Sequence, residues 1–329
     1  MSRRLSFALA TALLATVVGA APAHAELTLL DLGGLPSSTS NWVGSINNSD
    51  IAVGTSYTDR SHDRAVKYDG KGGSSELVGP AGASTTVNAV NNRGAAAGTT
   101  SGDGIGTRAI RFNPDGTYQL LITPAGYYSS LGLAIDDSGT VYGIAMRENN
   151  QQIPVRWRPN GVLTAMKLPQ GATWAYVSSA SANGYVAGYV SGPGVAFLAV
   201  RWNPDGTVTT LARVTDGATS AQAVNNRGEV VGNANGSNNE GTYGARWTAD
   251  GSVIMLARDV YPKSVNDSGV IVGFKYLDGK NRPYRWTYTG DELDLGLPDG
   301  VSEGVARDVN SDGVIVGTAG SVAVKWTTF

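Results

Sequence analysis

Histidines, cysteines and paired carboxylates are the side chains most often used for catalysis outside the cell, and this sequence offers few of them. Among 329 residues there is no cysteine, and of two histidines His24 belongs to a leader-like segment, which leaves His62. His62 stands between Asp59, Arg60, Asp63 and Arg64. That run reads as a solvated charged loop, and one imidazole cannot build a His-rich metal centre or most nucleophile–base pairs. Carboxylates are the other resource. Asp59, Asp63, Asp103, Glu148 and Glu240 lie in segments expected to be loops, where two at the right separation would make the acid and base of a glycosidase. Nothing in the spacing brings two of them together, so no catalytic residue is assigned. With His62 they remain candidate polar contacts.

Metal and phosphate chemistry are equally thin. The turns Asn47-Asn48, Asn91-Asn92, Asp136-Asp137-Ser138-Gly139, Asn266-Asp267 and Asn310-Ser311-Asp312-Gly313 hold side-chain oxygens. A four-residue hairpin cannot supply the six or more oxygens calcium takes, so these read as turn chemistry and no metal is expected. Ser101-Gly102-Asp103-Gly104-Ile105-Gly106 has a Gly-x-Gly spacing with no helix behind it to receive a phosphate. No cofactor is expected.

Aromatic residues are the better lead. Trp42, Tyr127, Tyr128, Trp174, Tyr176 and Tyr261 follow turn segments such as Leu35-Pro36, Pro124-Ala125-Gly126 and Leu168-Pro169-Gln170-Gly171. Rings on a rigid rim can stack on sugars or anchor a protein partner, because they bring large contact area at little entropic cost. Packing between structural elements is their alternative use.

The elements that must position these residues are repeated. A short hydrophobic strand, an Asn/Asp turn, three mostly aliphatic residues and a glycine recur, with that glycine at Gly54, Gly98, Gly143, Gly188, Gly232, Gly273 and Gly317. A basic–aromatic pair keeps the same rhythm: Lys67-Tyr68, Arg111-Phe112, Arg156-Trp157, Arg201-Trp202, Arg246-Trp247, Arg285-Trp286 and Lys325-Trp326. Two independent markers therefore count seven units of about 45 residues. Each unit holds four strand-like runs, called a to d, with tight turns such as Asn225-Asn226-Arg227-Gly228 and Asn203-Pro204-Asp205-Gly206 between them. Four antiparallel strands at this period predict an all-β, seven-bladed β-propeller of four-stranded antiparallel blades. The seventh unit stops after strand c, whereas Leu27–Leu32 resembles a strand d that precedes the first strand a. The ring is therefore expected to close on the N-terminal strand, which removes an open edge.

Strand alternation sets the Lys or Arg of each basic–aromatic pair between blades. The seven cations are thus expected to pack their stems there and bond carbonyls, rather than to line an anion site. The a–b and c–d turns should form one face. The other should carry long variable loops, among them Thr55–Arg64, Thr99–Arg108, Ile144–Ile153, Asn233–Thr242 and Phe274–Pro283, and binding is expected there.

Arg3 and Arg4, the apolar run Phe7–Ala21 and Ala23-His24-Ala25 have the order of an export signal. Residues 1–25 are read as a removed signal peptide and 26–329 as a single propeller domain. The apolar run is too short to span a membrane. A net charge of -2, from 25 basic and 27 acidic residues, gives no electrostatic basis for nucleic-acid binding.

The pattern Asn-Asn-x-Gly-x-x-x-Gly, seen at Asn91–Gly98, with strands ending basic–aromatic and with Asp31-Leu32-Gly33-Gly34-Leu35 and Asp294-Leu295-Gly296-Leu297, resembles the extracellular HAF-repeat proteins of bacteria. At the position of that family's signature tripeptide this chain reads Arg64-Ala65-Val66, Arg108-Ala109-Ile110, Leu198-Ala199-Val200 and Val322-Ala323-Val324. The resemblance implies a secreted repeat architecture and brings no catalytic residue with it. The expectation is a secreted, monomeric, non-enzymatic binding module for an extracellular glycan or a surface protein, with the periplasm as an alternative destination. A glycan-active hydrolase or lyase using loop carboxylates and a structural envelope or matrix protein are the two alternatives.

Overall fold

The computed structural model describes residues 27–58, 62–148, 151–213, 215–237 and 240–328. The leader segment and Asp59 lie outside the described residues. Blade 1 comprises β2 (Ser38–Ile46), β3 (Ala52–Thr58), β4 (Arg64–Tyr68) and β5 (Ser74–Glu76), preceded in the chain by β1 (Leu27–Asp31). Blade 2 is β6 (Ser84–Val90), β7 (Ala96–Gly102), β8 (Gly106–Phe112) and β9 (Tyr118–Leu120). Blade 3 is β10 (Ser129–Ile135), β11 (Val141–Met146), β12 (Gln152–Trp157) and β13 (Leu163–Ala165). Blade 4 is β14 (Trp174–Ala180), β15 (Val186–Gly192), β16 (Val195–Trp202) and β17 (Val208–Thr210). Blade 5 is β18 (Thr219–Val224), β19 (Val230–Asn235), β20 (Thr242–Trp247) and β21 (Val253–Arg258). Blade 6 is β22 (Val260–Val265), β23 (Ile271–Leu277), β24 (Lys280–Trp286) and β25 (Glu292–Asp294). Blade 7 is β26 (Gly304–Val309), β27 (Ile315–Ala319) and β28 (Val322–Thr328), with β1 as its outer strand.

The protein is thus a seven-bladed β-propeller of four-stranded antiparallel sheets. The N-terminal strand closes it as the sequence predicts. β1 pairs with β28 in the register Leu27↔Thr328 to Asp31↔Val324, and the Leu32 amide continues the ladder to the Ala323 carbonyl at 2.9 Å. Leu32 itself is fully buried with Val43, Val66 and Tyr68 of blade 1 and Val314, Val316 and Ala323 of blade 7. The first and last blades therefore share one core.

Blades radiate from an axis, so the gap between them widens outward, and side-chain size follows. The second strands carry Ala, Val and Gly, as in Ala96-Ala97-Gly98, whereas the third strands end in a large buried ring at Tyr68, Phe112, Trp157, Trp202, Trp247, Trp286 or Trp326. The indole N–H groups of Trp157, Trp202 and Trp247 donate to the carbonyls of Ile122, Lys167 and Ala212 in the preceding blade at 2.6–2.7 Å. These three buried indoles thus satisfy their one polar atom across a blade boundary. Two of the adjoining cations bond carbonyls of the next blade, as expected, and a third pairs with a carboxylate. Arg201 donates to the carbonyls of Gly228 and Ala249, Arg111 donates to that of Gly139, and Arg246 pairs with Glu229 at 2.8 Å.

One expectation needs correcting. Several of the segments read as long loops are strand. β7 and β8 run on past Gly98 to Gly102 and Gly106, which leaves a tight turn at 103–105, and β23 and β24 extend to Leu277 and Lys280 around Asp278-Gly279. Asp278 and Gly279 both have positive φ, 50° and 79°, so an Asp-Gly pair closes a two-residue hairpin where a loop was expected. Cross-strand pairing continues beyond the repeated glycine because Ser101↔Thr107 and Tyr276↔Asn281 face each other in register.

Candidate functional site

The repeated glycine explains where the site lies. In every blade the innermost strand has a bulge opposite it. Register slips between Val43 and Ser45, Val87 and Ala89, Gly132 and Ala134, Val177 and Ser179, Ala221 and Ala223, Pro262 and Ser264, and Ala306 and Asp308. At that point a carbonyl of the innermost strand crowds the glycine. A Cβ at Gly54, Gly98, Gly143, Gly188, Gly232, Gly273 or Gly317 would lie 1.8–2.1 Å from the carbonyl oxygen of Trp42, Thr86, Leu131, Tyr176, Ser220, Tyr261 or Val305. Only glycine fits, and the bulge it permits turns the skipped residue out of the ladder.

The skipped residues are Gly44, Asn88, Leu133, Ser178, Gln222, Lys263 and Arg307, each ten positions before its glycine. All seven line the central channel and form a waist between two cavities. On the turn side the cavity is about 220 Å3 and ends among turn residues such as Asn48, Asn92, Asp137, Asn226 and Asp267. On the other side it is about 370 Å3 and is walled by Trp42, Tyr176 and Tyr189 above the waist.

At the turn-side end the blades are tied to one another by the Asn turns. Asn47, Asn91, Asn225, Asn266 and Asn310 are buried, and each donates its amide to the carbonyl of the equivalent residue in the next blade, Asn91, Asp136, Asn266, Asn310 and Asn47, at 2.8–3.2 Å. Their Oδ1 atoms cap their own turns, as Asn310 does for Asp312 and Val314. The sequence foretells the turn function but not the belt between blades. A period of 45 shows repetition, while contact between repeats is a property of the closed ring.

The waist is electrostatically one-sided. Lys263 and Arg307 are neighbours in the ring and the two charged members of it. Burial first, then the Arg307 charge, lowers the Lys263 ammonium from its ordinary range, and burial lowers the Arg307 guanidinium. Among the described residues neither head is in an ion pair. Instead each lies over a ring, the Arg307 guanidinium 5.2 Å from the Trp42 centroid and the Lys263 ammonium 5.6 Å from that of Phe274. The buried Arg307 Nε has no hydrogen-bond partner, a condition it shares with the Nε atoms of Arg111, Arg156, Arg246 and Arg285. Asp308, in the adjoining layer, is committed elsewhere. It accepts from Ser264 Oγ at 2.6 Å and from the Ile46 amide at 2.9 Å, and burial pushes its carboxyl up against those bonds.

The aromatic residues singled out in the sequence divide among three places. Trp42 and Tyr176 stand at the channel mouth. Trp42, Trp174, Tyr176 and Tyr261 belong to innermost strands, not to connecting loops, and of these four Trp42 and Tyr176 line the channel cavity while Trp174 and Tyr261 do not. Tyr176 stacks on Tyr189 at 5.5 Å, Trp174 packs on Tyr189 and Phe197 at 5.6 and 5.7 Å, and Tyr261 stacks on Phe274 at 4.7 Å. Tyr127 and Tyr128 are separate. With Gly126, Arg147 and Glu148 they line a shallow outer depression in blade 3, where Arg147 covers the Tyr127 ring at 4.6 Å and Tyr128 is exposed.

The polar candidates do not converge. Asp63 ties blade 1 to blade 2 through its backbone, receiving the Thr85 amide at 2.8 Å and donating to Ser84 Oγ at 3.0 Å. His62, Asp103, Glu148 and Glu240 are exposed on blades 1, 2, 3 and 5. None of these five lines either channel cavity. The residues that sequence reading missed are Tyr189, Phe274, Asn88, Gln222, Lys263 and Arg307. Counting ten back from each repeated glycine would have found the last four.

No family model matches the sequence, and no curated protein matches it. Solved structures of similar shape include a streptogramin B lyase, with a TM-score of 0.63, 12% identity and coverage of 92% of this chain and 98% of that one. Virginiamycin B lyase from Staphylococcus aureus has a TM-score of 0.62 at 13% identity, covering 92% of this chain and all of the other (100%). The lectin BP39L from Burkholderia pseudomallei has a TM-score of 0.52 at 10% identity, covering 93% and 96%. Identities this low show the fold alone. The chain is a seven-bladed β-propeller, an architecture that in these proteins serves both binding and catalysis.

Proposed function

We propose that this protein is an exported, non-enzymatic binding module whose ligand is a carbohydrate held at the aromatic mouth of the central channel. The observation that carries this is the set of side chains converging there. Trp42 and the Tyr176–Tyr189 stack come from opposite sides of the ring, with Asn88, Ser178 and Gln222 below them. Aromatic faces match the apolar faces of a sugar ring, and amide and hydroxyl groups match its hydroxyls. The aromatic pairs hold one another, so little side-chain freedom is lost on binding. Residues 1–25 would direct export. The dispersal of Asp63, Asp103, Glu148 and Glu240 over four blades favours binding over hydrolysis.

The test is a thermal-shift screen of the chain against neutral and acidic oligosaccharides, with chromatography of the products. A ligand at about 100 times its dissociation constant stabilises by about 2.7 kcal/mol. A shift without product, lost in Tyr176→Ala, is expected. Product formation, or a shift that Tyr176→Ala leaves intact, would refute the assignment.

A further inference from the structure

Resting on the channel mouth as the ligand site, we infer that the ligand is an anionic oligosaccharide, whose carboxylate or sulfate group is seated at the waist between Lys263 and Arg307. The blades supply an internal control. The same bulge, opposite the same crowded glycine, holds Gly44, Asn88, Leu133, Ser178 and Gln222 in the other five blades, so the backbone does not require a cation there. Two adjacent blades nevertheless place cations at that position, where they are desolvated and repel each other. Such a pair is unfavourable unless an anion joins it.

Among the described residues no carboxylate pairs with either head, and the nearby Asp308 is bonded to Ser264 and the Ile46 amide. Arg201 and Arg246 show how this fold can satisfy a structural cation, with carbonyls or Glu229. Lys263 and Arg307 have no such partners among the described residues. Their heads instead lie over the Phe274 and Trp42 rings, and both cationic residues line the channel cavity. Gly44 contributes by absence. A Cβ there would lie 2.4 Å from the Trp42 ring, so glycine leaves room for the indole beside Arg307.

The neighbouring groups select a sugar over a bare anion. An inorganic ion would use the cations but leave the Tyr176–Tyr189 face on the other side of the ring idle. A cavity of about 370 Å3 is at the small end of ligand sites and admits a terminal sugar unit, not the folded surface of a protein. A uronic acid or a sulfated sugar presents an apolar ring face, hydroxyls and one charge on a single rigid unit. Those are the three features the mouth and waist offer.

Calorimetric titration with a uronic-acid trisaccharide, its carboxyl-reduced neutral counterpart and a sulfated trisaccharide tests this. The acidic trisaccharide should bind at least about tenfold more tightly than the neutral one, as expected for a charge-assisted hydrogen bond. Comparison with the sulfated sugar tells which anion is preferred. Lys263→Gln and Arg307→Gln should each abolish that preference without lowering the melting temperature, since each removes a desolvated charge. Tyr176→Ala should weaken acidic and neutral sugars alike. On the parent protein, raising salt from about 50 to about 500 mM should shrink the acidic preference, a check that needs no variant. Equal binding of acidic and neutral sugars, or a preference that survives both Gln substitutions, overturns the anionic site and leaves the carbohydrate module standing. Binding of an acidic peptide but of no sugar overturns both.

Discussion

Replacing Asn310 by Asp separates the two jobs of the Asn turns. The Asn310 amide nitrogen donates to the Asn47 carbonyl at 3.2 Å and to Asp50 Oδ1 at 2.9 Å, both across the junction where the last blade meets the first. Its oxygen accepts from the Asp312 and Val314 amides at 3.1 and 2.9 Å within its own turn. Asn310→Asp keeps the turn bonds, removes both bonds across the junction, and sets a carboxylate against a carbonyl and the Asp50 carboxylate. Blade 3 shows what a carboxylate needs at this position. Asp136 occupies it there, and its second oxygen receives the Tyr142 hydroxyl at 2.8 Å. The corresponding residue of blade 7, one before the repeated glycine, is Val316, which has no proton to donate. One hydrogen bond to a charged group and one to a neutral group are lost, with an acceptor left facing like charge, so the loss should be about 2–4 kcal/mol. At roughly 2 °C per kcal/mol for a chain of this size, calorimetry should record a fall of about 4–8 °C at neutral pH. Burial and Asp50 raise the pKa of the introduced carboxyl above its unfolded value. The folded state then binds the extra proton more tightly, and the deficit should narrow as pH falls. A variant within about 0.5 kcal/mol of the parent at pH 7, or a deficit independent of pH, would show that the belt between blades contributes nothing.

Three further outcomes follow from the same structure. Leu32→Ala, at a fully buried site shared by blades 7 and 1, should destabilise by about 2–5 kcal/mol in thermal unfolding, and removing residues 27–32 should prevent folding by stripping β28 of its outer partner. Gly98→Ala sets a Cβ 2.0 Å from the Thr86 carbonyl, so the bulge that aims Asn88 must shift; a loss of about 3 kcal/mol or more is expected, and unchanged stability would contradict the close approach. Burial pushes the Glu229 carboxyl up, yet hydrogen bonds from Asn225, Arg246, Arg227 and Tyr288 pull it down to about 2. Its contribution is therefore present above the unfolded value of 4.5 and lost as pH falls toward 2, so the acid limb of the stability profile should be shallower there in Glu229→Gln.

The architecture was legible because it is written by repetition. Gly54 to Gly317 and Lys67-Tyr68 to Lys325-Trp326 keep step, and a strand d missing at the end is found at the start in Leu27–Asp31. Periodicity says which residues are equivalent, and equivalent residues in a ring occupy equivalent places. It does not say how far pairing runs past the repeated core, which is why Thr99–Arg108 and Phe274–Pro283 read as loops and fold as hairpin arms. Nor does it show stacking between residues of different strands. Tyr189 and Phe274 carry no turn signal and become visible only when Tyr176 and Tyr261 are laid against them.

The candidate site escaped a motif search for a different reason. Searching by residue type favours His62 and the exposed carboxylates, and those are scattered over separate blades. In a repeat protein, a position that is structurally constant but chemically variable is the more telling signal. The glycine ten residues later and the bulge are the same in all seven blades. The bulged side chain, by contrast, runs through Gly, Asn, Leu, Ser, Gln, Lys and Arg around one channel. The bulge needs the glycine but does not itself dictate the bulged side chain, although Gly44 makes room for Trp42 and Asn88 ties its blade to the next through the Gly132 carbonyl at 2.8 Å. Two adjacent cations are a choice that folding alone disfavours, and their place opposite the Tyr176–Tyr189 face gives the channel a direction that seven equivalent blades would otherwise lack.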